Sequence, residues 1–409
     1  MRFSKRSEFV KNAILELDPA AEKLRKRGRD IIKLNRGDPP LYFKTPKYII
    51  NAYIEALKEN QTFYSNGAGT SELKEAVSKR YRRLYKVGVE EEGVICTAGV
   101  TEALLFINHA LIEKGEGAVI FKPYYPLYLP RLMSEGGSPT FGFQDMRDGW
   151  AIHLDDLGAK LRKLGRHGRS KMARYMLITN PCNPTGRVFS RNVLKEVVDI
   201  ANNNGILLVS DEIYDEFVFN GARFTSISQV AKGVPHIILN GSSKVYDSTG
   251  FRIGFMLIPG KDRESEALKQ RLNNYATTRL SLNTPAEHAV AEAIMNVTEH
   301  RRAVAGMVDA IKKRVNVAVK YLSENPAMDV IRPNGTFYLF PRIDLSRFNF
   351  SDGDDFVKKA LFEAGVEVTR GSAFGSPSNF RIVALPDEKT LALAIERINR
   401  MCRRHMKKG

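Results

Sequence analysis

The sequence has no long apolar segment. None of its apolar runs approaches the roughly 18 residues that a membrane-spanning helix requires. Residues 1–8 also lack the apolar core of a signal peptide. Because 43% of the 409 residues are hydrophobic, the chain can still bury a sizeable core, and its length predicts two domains, or one large and one small. We therefore expect a soluble cytoplasmic protein with no membrane partner.

Cysteine and histidine are too few and too scattered to form a recognisable site. The three cysteines, Cys96, Cys182 and Cys402, are widely spaced, so they predict neither a disulfide framework nor a zinc site. The seven histidines include no His-x-x-x-His pair. We expect no bound metal.

Two phosphate-binding motifs of nucleotide enzymes are also absent. The chain lacks Gly-x-x-x-x-Gly-Lys-Ser/Thr, which argues against a nucleotide hydrolase even though Asp211 and Glu212 follow a predicted strand. It has no Gly-x-Gly-x-x-Gly after a strand either, which argues against a dinucleotide-binding enzyme.

Positive charge is abundant, with a formal net charge of +17. Its clusters lie at residues 23–29, 80–83, 160–174 and 403–408. Most of them are interleaved with leucine or tyrosine at helical spacing, which is typical of solvated helix faces. With no RNA-binding or zinc-finger signature, the charge favours small anionic ligands over nucleic acid.

From residue 94 onward, short apolar runs alternate with helical patterns. The predicted strands lie at residues 94–98, 118–121, 175–178, 206–209, 237–239 and 253–258. Continuous apolar runs are typical of strands buried on both faces, and intervening helices indicate a three-layer α/β/α domain with a mainly parallel sheet. In such a sheet the ligand binds beyond the carboxyl ends of the strands.

The flanking regions differ from this pattern. Residues 1–30 are predicted to form a helix with a basic exposed face. A second helix is expected to begin near residue 71, with Thr70 or Ser71 as its N-cap. After residue 285, the pattern predicts one long charged helix over residues 287–324 and then a smaller α+β region.

The most informative stretch follows the predicted strand at residues 236–239. Lys244 lies there among small and polar residues, and Arg252 follows between Gly250 and Gly254. A lysine that reacts with a carbonyl needs a shaped, partly dry site, and the arginine offers fixed positive charge for a phosphate. Considered alone, the stretch favours the alternative of a surface loop that carries an ordinary lysine.

Other strand ends carry candidate ligand-binding groups. Gly99 begins a strand-to-helix turn whose free amides are suited to a phosphate, although ordinary turns have the same form. Tyr125 belongs to an aromatic cluster that fits a planar ring or a core. Asn183 lies between two Asn-Pro steps that restrict the backbone, in a functional loop or a plain turn. Asp211 is compatible with a helix cap, a metal ligand or a partner for a ring nitrogen.

Taken together, these features resemble one enzyme family, the class I aminotransferases, which use pyridoxal 5′-phosphate (PLP). The matching segments are Tyr64 with Gly69, residues 180–186, residues 211–214, Lys244 to Arg252, and Arg381. The resemblance extends over residues 35–380, and residues 240–254 and 279–285 look most like alanine aminotransferases of the archaeal type. It implies the PLP-dependent transferase fold type I.

The resemblance also implies a division of the chain into two domains. Residues 45–287 would form the large PLP-binding domain. Residues 1–44 and 288–409 would together form the small domain.

The same resemblance assigns roles around the cofactor. Lys244 would hold PLP as an imine and afterwards move a proton. Asp211 would pair with the pyridine nitrogen and make the ring an electron sink. Tyr214 and Asn183 would hydrogen-bond the ring oxygen, and Tyr125 would stack on the ring.

The phosphate and the substrate would be held by further residues. The expected phosphate ligands are Val100, Thr101, Ser243 and Arg252, with Tyr64 reaching in from a second subunit of a homodimer with shared active sites. Arg381 would clamp the substrate α-carboxylate beside Gly37. Arg279 would cross the dimer to bind the side-chain carboxylate of 2-oxoglutarate, unless it only forms a surface ion pair.

Three positions depart from the family pattern. Gly241 replaces a phosphate-binding serine, and Val100 can offer only its backbone amide. Asp247 replaces a small or apolar residue, and we expect its side chain to point away from the phosphate.

The implied reaction is transfer of an amino group, with alanine as the favoured donor and 2-oxoglutarate as the acceptor, by a ping-pong mechanism. An aspartate, aromatic or broad-specificity aminotransferase, or a PLP-dependent β-lyase or synthase, remains an alternative. A DNA-binding regulator with an aminotransferase-like domain is disfavoured, because it would need an additional winged-helix segment.

Overall fold

The computed structural model describes residues 1, 3–165 and 173–407. The basic clusters predicted at residues 160–174 and 403–408 therefore lie partly outside the described residues. Within them, the α-helices are α1 (Asp18–Lys26), α2 (Lys47–Lys58), α3 (Ser71–Tyr85), α4 (Val100–Leu111), α5 (Tyr128–Ser134), α6 (Asp155–Gly165), α7 (Arg191–Asn203), α8 (Arg263–Thr278), α9 (Thr284–Met295), α10 (Val297–Ser323), α11 (Gly353–Phe362) and α12 (Glu388–His405). None of the helices described is both long and apolar enough to cross a membrane.

The strands of the described residues form one large sheet and several small ones. They are β1 (Ile32–Lys33), β2 (Val94–Thr97), β3 (Gly117–Lys122), β4 (Ser138–Asp145), β5 (Ala151–His153), β6 (Ala173–Thr179), β7 (Leu207–Asp211), β8 (His236–Gly241), β9 (Gly254–Leu257), β10 (Met328–Asp329), β11 (Tyr338–Leu339), β12 (Arg342–Ile343), β13 (Val366–Glu367), β14 (Thr369–Arg370) and β15 (Phe380–Val383).

The central sheet confirms the predicted α/β architecture. Its eight described strands have the order β2-β9-β8-β7-β6-β3-β4-β5. The pairings from β8 through β7, β6 and β3 to β4 are parallel, and the pairings at the two ends are antiparallel. Strands β4 and β5 were not predicted, because most of their residues are partly exposed and form no continuous apolar run.

Alternate residues of the central strands pack into two separate cores. On β8, Ile238 belongs to one core, whereas Ile237 and Leu239 belong to the other. Successive side chains of a strand point to opposite faces, so both faces of this sheet are covered. The continuous apolar runs of the sequence arise from this three-layer packing.

The N-terminal segment is joined to the C-terminal region by a strand pairing. Strand β1 pairs in parallel with β13, with Ile32 opposite Val366. In the same region, β15 pairs antiparallel with both β11 and β14. These pairings agree with a small domain built from both ends of the chain, although the exact domain boundaries stay a prediction.

Two helix predictions were wrong. Residues 1–30 contain a 3₁₀ turn at Lys5–Phe9 and the short helix α1, rather than one helix. Pro19 lies in the first turn of α1, where a backbone N–H would have no helical partner in any case. In the interior of one long helix, the same proline would remove a hydrogen bond and break the helix. The long helix predicted over residues 287–324 is divided at Asn296, whose side chain caps α10 by accepting from Glu299 N.

The start of α3 was predicted correctly. Thr70 is its N-cap, and its side-chain oxygen accepts a hydrogen bond from Leu73 N at 3.3 Å. Such a cap satisfies one of the amides that a helix start leaves without a partner.

Candidate active site

The carboxyl ends of the parallel strands meet at a cleft of about 440 Å³. The predicted site residues that line it are Gly37, Val100, Thr101, Tyr125, Asn183, Asp211, Tyr214, Ser243, Lys244, Arg252 and Arg381. Tyr64 and Arg279 do not line the cleft of this chain. A ligand bound beyond the strand ends would therefore contact residues from both ends of the sequence.

Lys244 lies in the loop after β8 and is partly buried in the cleft. Its Nζ donates a hydrogen bond to the carbonyl oxygen of Gly37 at 2.7 Å. Burial lowers the pKa of the Lys244 amine to about 8, although Asp38 acts in the opposite direction. A fraction of the amine is therefore uncharged near neutral pH, which is the form that attacks a carbonyl.

A buried polar network fixes the segment on either side of Lys244. Before the lysine, Asn240 donates its side-chain amide to Asp215 Oδ2 at 3.0 Å. After it, Tyr246 accepts a hydrogen bond from Arg80 Nε at 3.1 Å. Arg80 is fully buried on α3 and also forms an ion pair with Asp215 at 2.8 Å. This network was not predictable from local sequence patterns, because its members are far apart along the chain.

Asp211 ends β7 with its carboxylate buried beside the cleft. Oδ2 accepts a hydrogen bond from Tyr128 Oη at 2.7 Å, and Oδ1 accepts one from Ile213 N at 3.2 Å. Burial raises the pKa of Asp211 to about 6, against the effect of these two bonds. Among the described residues it has no ion pair, so a protonated ring nitrogen would supply the positive charge that favours its ionised form.

Two tyrosines of the cleft were not predicted as site residues. Tyr128 holds Asp211 and also lies 2.8 Å from Thr179 Oγ1. Tyr338 lies with its hydroxyl 3.1 Å from that of Tyr214. Neither position was distinguishable in the sequence from an ordinary core tyrosine.

Arg381 on β15 is a buried guanidinium with neutral hydrogen-bond partners. Nη1 donates to Asn183 Oδ1 at 3.1 Å, and Nη2 donates to the carbonyl oxygen of Asn35 at 2.6 Å. Its Nε is buried without a partner in the described structure, and its guanidinium lies 4.5 Å from the ring centre of Tyr338. A buried cation without a counter-ion is costly, so the site fits the carboxylate of a ligand.

The turn between β2 and α4 forms a cradle for an anion. The first amides of α4, at Val100 and Thr101, have no partner within the helix because of their position. Arg252 lies over this turn, with Nη2 donating to Ala98 O at 3.1 Å. Gly99 has a φ of +77°, and a Cβ there would also overlap that guanidinium, so glycine suits both the backbone conformation and the close approach. A phosphate fits this combination of amides and guanidinium.

The structure accounts for two of the three departures from the family pattern. A Cβ at Gly241 would overlap the backbone of Ile253 and Gly254, so a serine does not fit there. Asp247 is fully buried and does not line the cleft, in keeping with the expectation that it points away from the phosphate. Burial and the neighbouring Asp38 raise the pKa of Asp247 to about 7.

Arg279 is engaged inside its own chain. Nη1 forms an ion pair with Glu102 Oε2 at 2.6 Å, and Nη2 donates to the carbonyl oxygens of Gly67 and Cys96. Glu102 also accepts from Ala98 N at 2.7 Å, at the start of α4. These contacts favour the alternative of a structural ion pair, and the role across a dimer stays a prediction.

The groups in the cleft fit PLP. The Lys244 amine, whose pKa is lowered, suits the aldehyde of that cofactor, and the buried carboxylate of Asp211 suits its ring nitrogen. The anion cradle with the exposed guanidinium of Arg252 suits its phosphate. Tyr125 supplies an aromatic ring in the same cleft.

Known proteins are similar to this chain in both sequence and fold. Asparagine–oxo-acid transaminase of Streptococcus mutans is 29% identical over 396 residues, 96% of each chain. Glutamate-pyruvate aminotransferase AlaA of Escherichia coli K12 is 30% identical over 383 residues, 93% of this chain and 92% of the relative. The structure of alanine aminotransferase from Pyrococcus furiosus matches with a TM-score of 0.93 and 31% identity, over 99% of this chain and 100% of that one.

The family described as aminotransferase class I and II matches residues 29–398, which is nearly the whole chain. This match agrees with the cleft chemistry and with the fold. The chain therefore belongs to the class I and II aminotransferases, which are PLP-dependent enzymes.

Proposed function

We propose that this aminotransferase moves the amino group of L-alanine to 2-oxoglutarate by a ping-pong mechanism. The main support is the placement of Arg381, Lys244 and Asp211 in a single cleft, which suits an α-amino acid. A similar protein in Escherichia coli is named for glutamate and pyruvate, and one in Pyrococcus furiosus for alanine.

The residues of the cleft have different roles in the proposed reaction. PLP bound there would supply an electron sink for the bonds of the substrate Cα. Arg381 holds the α-carboxylate by charge-assisted hydrogen bonds and thereby orients the Cα–H bond. The uncharged Nζ of Lys244 takes the proton from Cα and later returns a proton to the product. Asp211 would stay ionised by pairing with the protonated ring nitrogen of the cofactor.

Further residues would hold the cofactor in place. Arg252, Ser243 and the first amides of α4 would bind its phosphate, and Tyr125 would pack on the ring. Asn183 and Tyr214 would hydrogen-bond the ring oxygen, with Asn183 fixed by Arg381 and Tyr214 by Tyr338.

A screen of donors and acceptors tests this proposal. The PLP-loaded protein is mixed with one amino acid at a time, and the absorbance change to the pyridoxamine form is followed. We expect alanine and glutamate to give the change and 2-oxoglutarate to reverse it. Release of ammonia and pyruvate from a cysteine-type substrate without a 2-oxo acid would favour a β-lyase instead.

We further propose a homodimer with shared sites. On α2, Ile50, Ile54 and Leu57 form an exposed apolar stripe at helical spacing. Nearby in sequence, Phe63 and Tyr64 are 61% and 80% exposed, which is unusual for aromatic side chains. Burying this face against a second copy would remove the apolar area from water and bring Tyr64 towards the other cleft.

Mixing two inactive variants tests the shared sites. Lys244→Ala chains and Tyr64→Ala chains should form hybrid dimers in which one of the two clefts has both residues. After subunit exchange, each hybrid dimer should have one intact cleft of its two. We therefore expect activity to return to at most about half of the wild-type value for a fully hybrid sample. No recovery after exchange has been demonstrated, with both parents impaired, would contradict shared sites.

A further inference from the structure

Two arginines of the cleft have no role in the proposed chemistry. Arg36 and Arg131 both line the cleft, as Arg252 and Arg381 do. Within the described ranges, neither the Arg36 nor the Arg131 guanidinium has a hydrogen bond or an ion pair. Arg252 and Arg381, in contrast, are each held by two hydrogen bonds. Two cations of the cleft are therefore free to bind an anionic ligand.

Arg131 lies on the wall of the cleft. It is half-buried on α5, one turn after Tyr128, which holds Asp211. Helix α5 packs against the N-terminal turn Lys5–Phe9, and Ile14 and Leu15 of the following segment line the same cleft. Because Arg131 is half-buried, water screens a contact between its guanidinium and an anion less than it would at an exposed position.

Arg36 lies beside the expected clamp for the α-carboxylate. The residue before it, Asn35, accepts a hydrogen bond from Arg381 through its carbonyl oxygen. The residue after it, Gly37, accepts from Lys244 Nζ. Arg36 is exposed, so its contact with an anion is expected to be weaker than that of Arg131.

The acidic groups of the cleft leave these arginines unneutralised. Of the described residues lining it, Asp38 and Asp211 are the carboxylates. Asp211 is held by Tyr128, and Asp38 accepts a hydrogen bond from Thr249 Oγ1 at 2.5 Å. Neither carboxylate is ion-paired with Arg36 or Arg131 in the structure described.

We propose that Arg131, assisted by Arg36, binds the second carboxylate of a dicarboxylic substrate within the same subunit. This inference rests on the proposed aminotransferase function, in which one carboxylate is held by Arg381. These two arginines, rather than Arg279, would then select the dicarboxylic substrates glutamate and 2-oxoglutarate. The guanidinium of Arg279 already pairs with Glu102.

Equilibrium binding of two acids tests this assignment without turnover. Glutarate carries two carboxylates, and butyrate is the same chain with one of them removed. Calorimetry measures the affinity for glutarate and the affinity for butyrate, and their ratio is the preference for glutarate. The ratio is determined for three PLP-loaded proteins: the wild type, Arg131→Gln and Arg36→Gln. We expect Arg131→Gln to lower the preference for glutarate by about 10- to 100-fold, and Arg36→Gln to lower it by a smaller factor. Arg301→Gln is the matched control, because Arg301 lies on α10, exposed and outside the cleft.

Two further measurements separate the possible outcomes. Arg131→Lys should restore part of the glutarate preference, because it restores the charge without the planar fork. The assignment is overturned if Arg131→Gln leaves the ratio unchanged, if it weakens both acids equally, or if Arg279→Ala alone abolishes the preference. Failure of the wild type to exchange amino groups in the donor screen would instead contradict the proposed function itself.

Discussion

Lys244→Ala is expected to lower turnover by at least about 100- to 10,000-fold, the range that a positioned proton-transfer group contributes. In the proposed reaction, the variant would lose both the amine that bonds the cofactor and the group that moves the Cα proton. Lys244 lines the cleft, and its amine of lowered pKa donates to Gly37 O. The measurement is kcat with the best donor from the screen, together with the absorbance of the bound cofactor.

Lys269→Ala is the matched control for this variant. Lys269 is also largely buried, but it lies on α8 in an ion pair with Glu266. We expect it to change stability and to leave the cofactor absorbance in place. A Lys244→Ala protein that turns over within a few-fold of wild type would show that the amine of another residue carries the reaction.

Asp211→Asn is expected to lower kcat by at least about 100-fold, which is about 2.7 kcal/mol of transition-state stabilisation. The amide has nearly the same shape as the carboxylate, and its oxygen can still accept the hydrogen bond from Ile213 N. The change therefore removes the negative charge that is proposed to pair with the ring nitrogen, while keeping the local backbone cap. Kinetics and thermal unfolding are measured on the same preparation.

The effect on stability separates the two roles of Asp211. Because the pKa of Asp211 is raised by burial, the ionised form is destabilised by folding, and the neutral amide is expected to preserve Tm. Asp199→Asn, at an exposed position of α7, serves as the control for a change of charge alone. Turnover close to wild type would mean that Asp211 is only a cap of the loop.

The sheet was predictable because its strands are buried on both faces. The residues of β8 read as one apolar run, since alternate side chains enter two different cores. Because β7 and β8 are neighbours in the sheet, Asp211 and the loop that carries Lys244 meet at one cleft beyond the strand ends, where the sequence predicts a ligand. Strand β4 was not predicted because it is partly exposed and contains Pro139 and Gly142, so it forms no continuous apolar run. It lies near the end of the sheet.

The contacts that orient the site were not predictable from single residues. Arg80 belongs to a helix whose sequence reads as a basic exposed face, yet it is fully buried and fixes Tyr246 beyond Lys244. Ile14 lies far from the sheet in sequence and reaches the cleft only because the N-terminal segment packs on α5. Such contacts depend on the tertiary path of the chain, and a local pattern carries no information about them.

We propose that Lys244 holds PLP and releases it as the amino group is transferred. Borohydride reduction followed by peptide mapping tests it in three samples: the PLP-loaded protein, the protein after an active donor such as alanine, and the protein after subsequent 2-oxoglutarate. We expect the cofactor to be fixed to Lys244 in the first and third samples and to be absent from the chain in the second. A label on another lysine, or a label on Lys244 that survives the donor unchanged, would show that Lys244 does not hold and release the cofactor in this way.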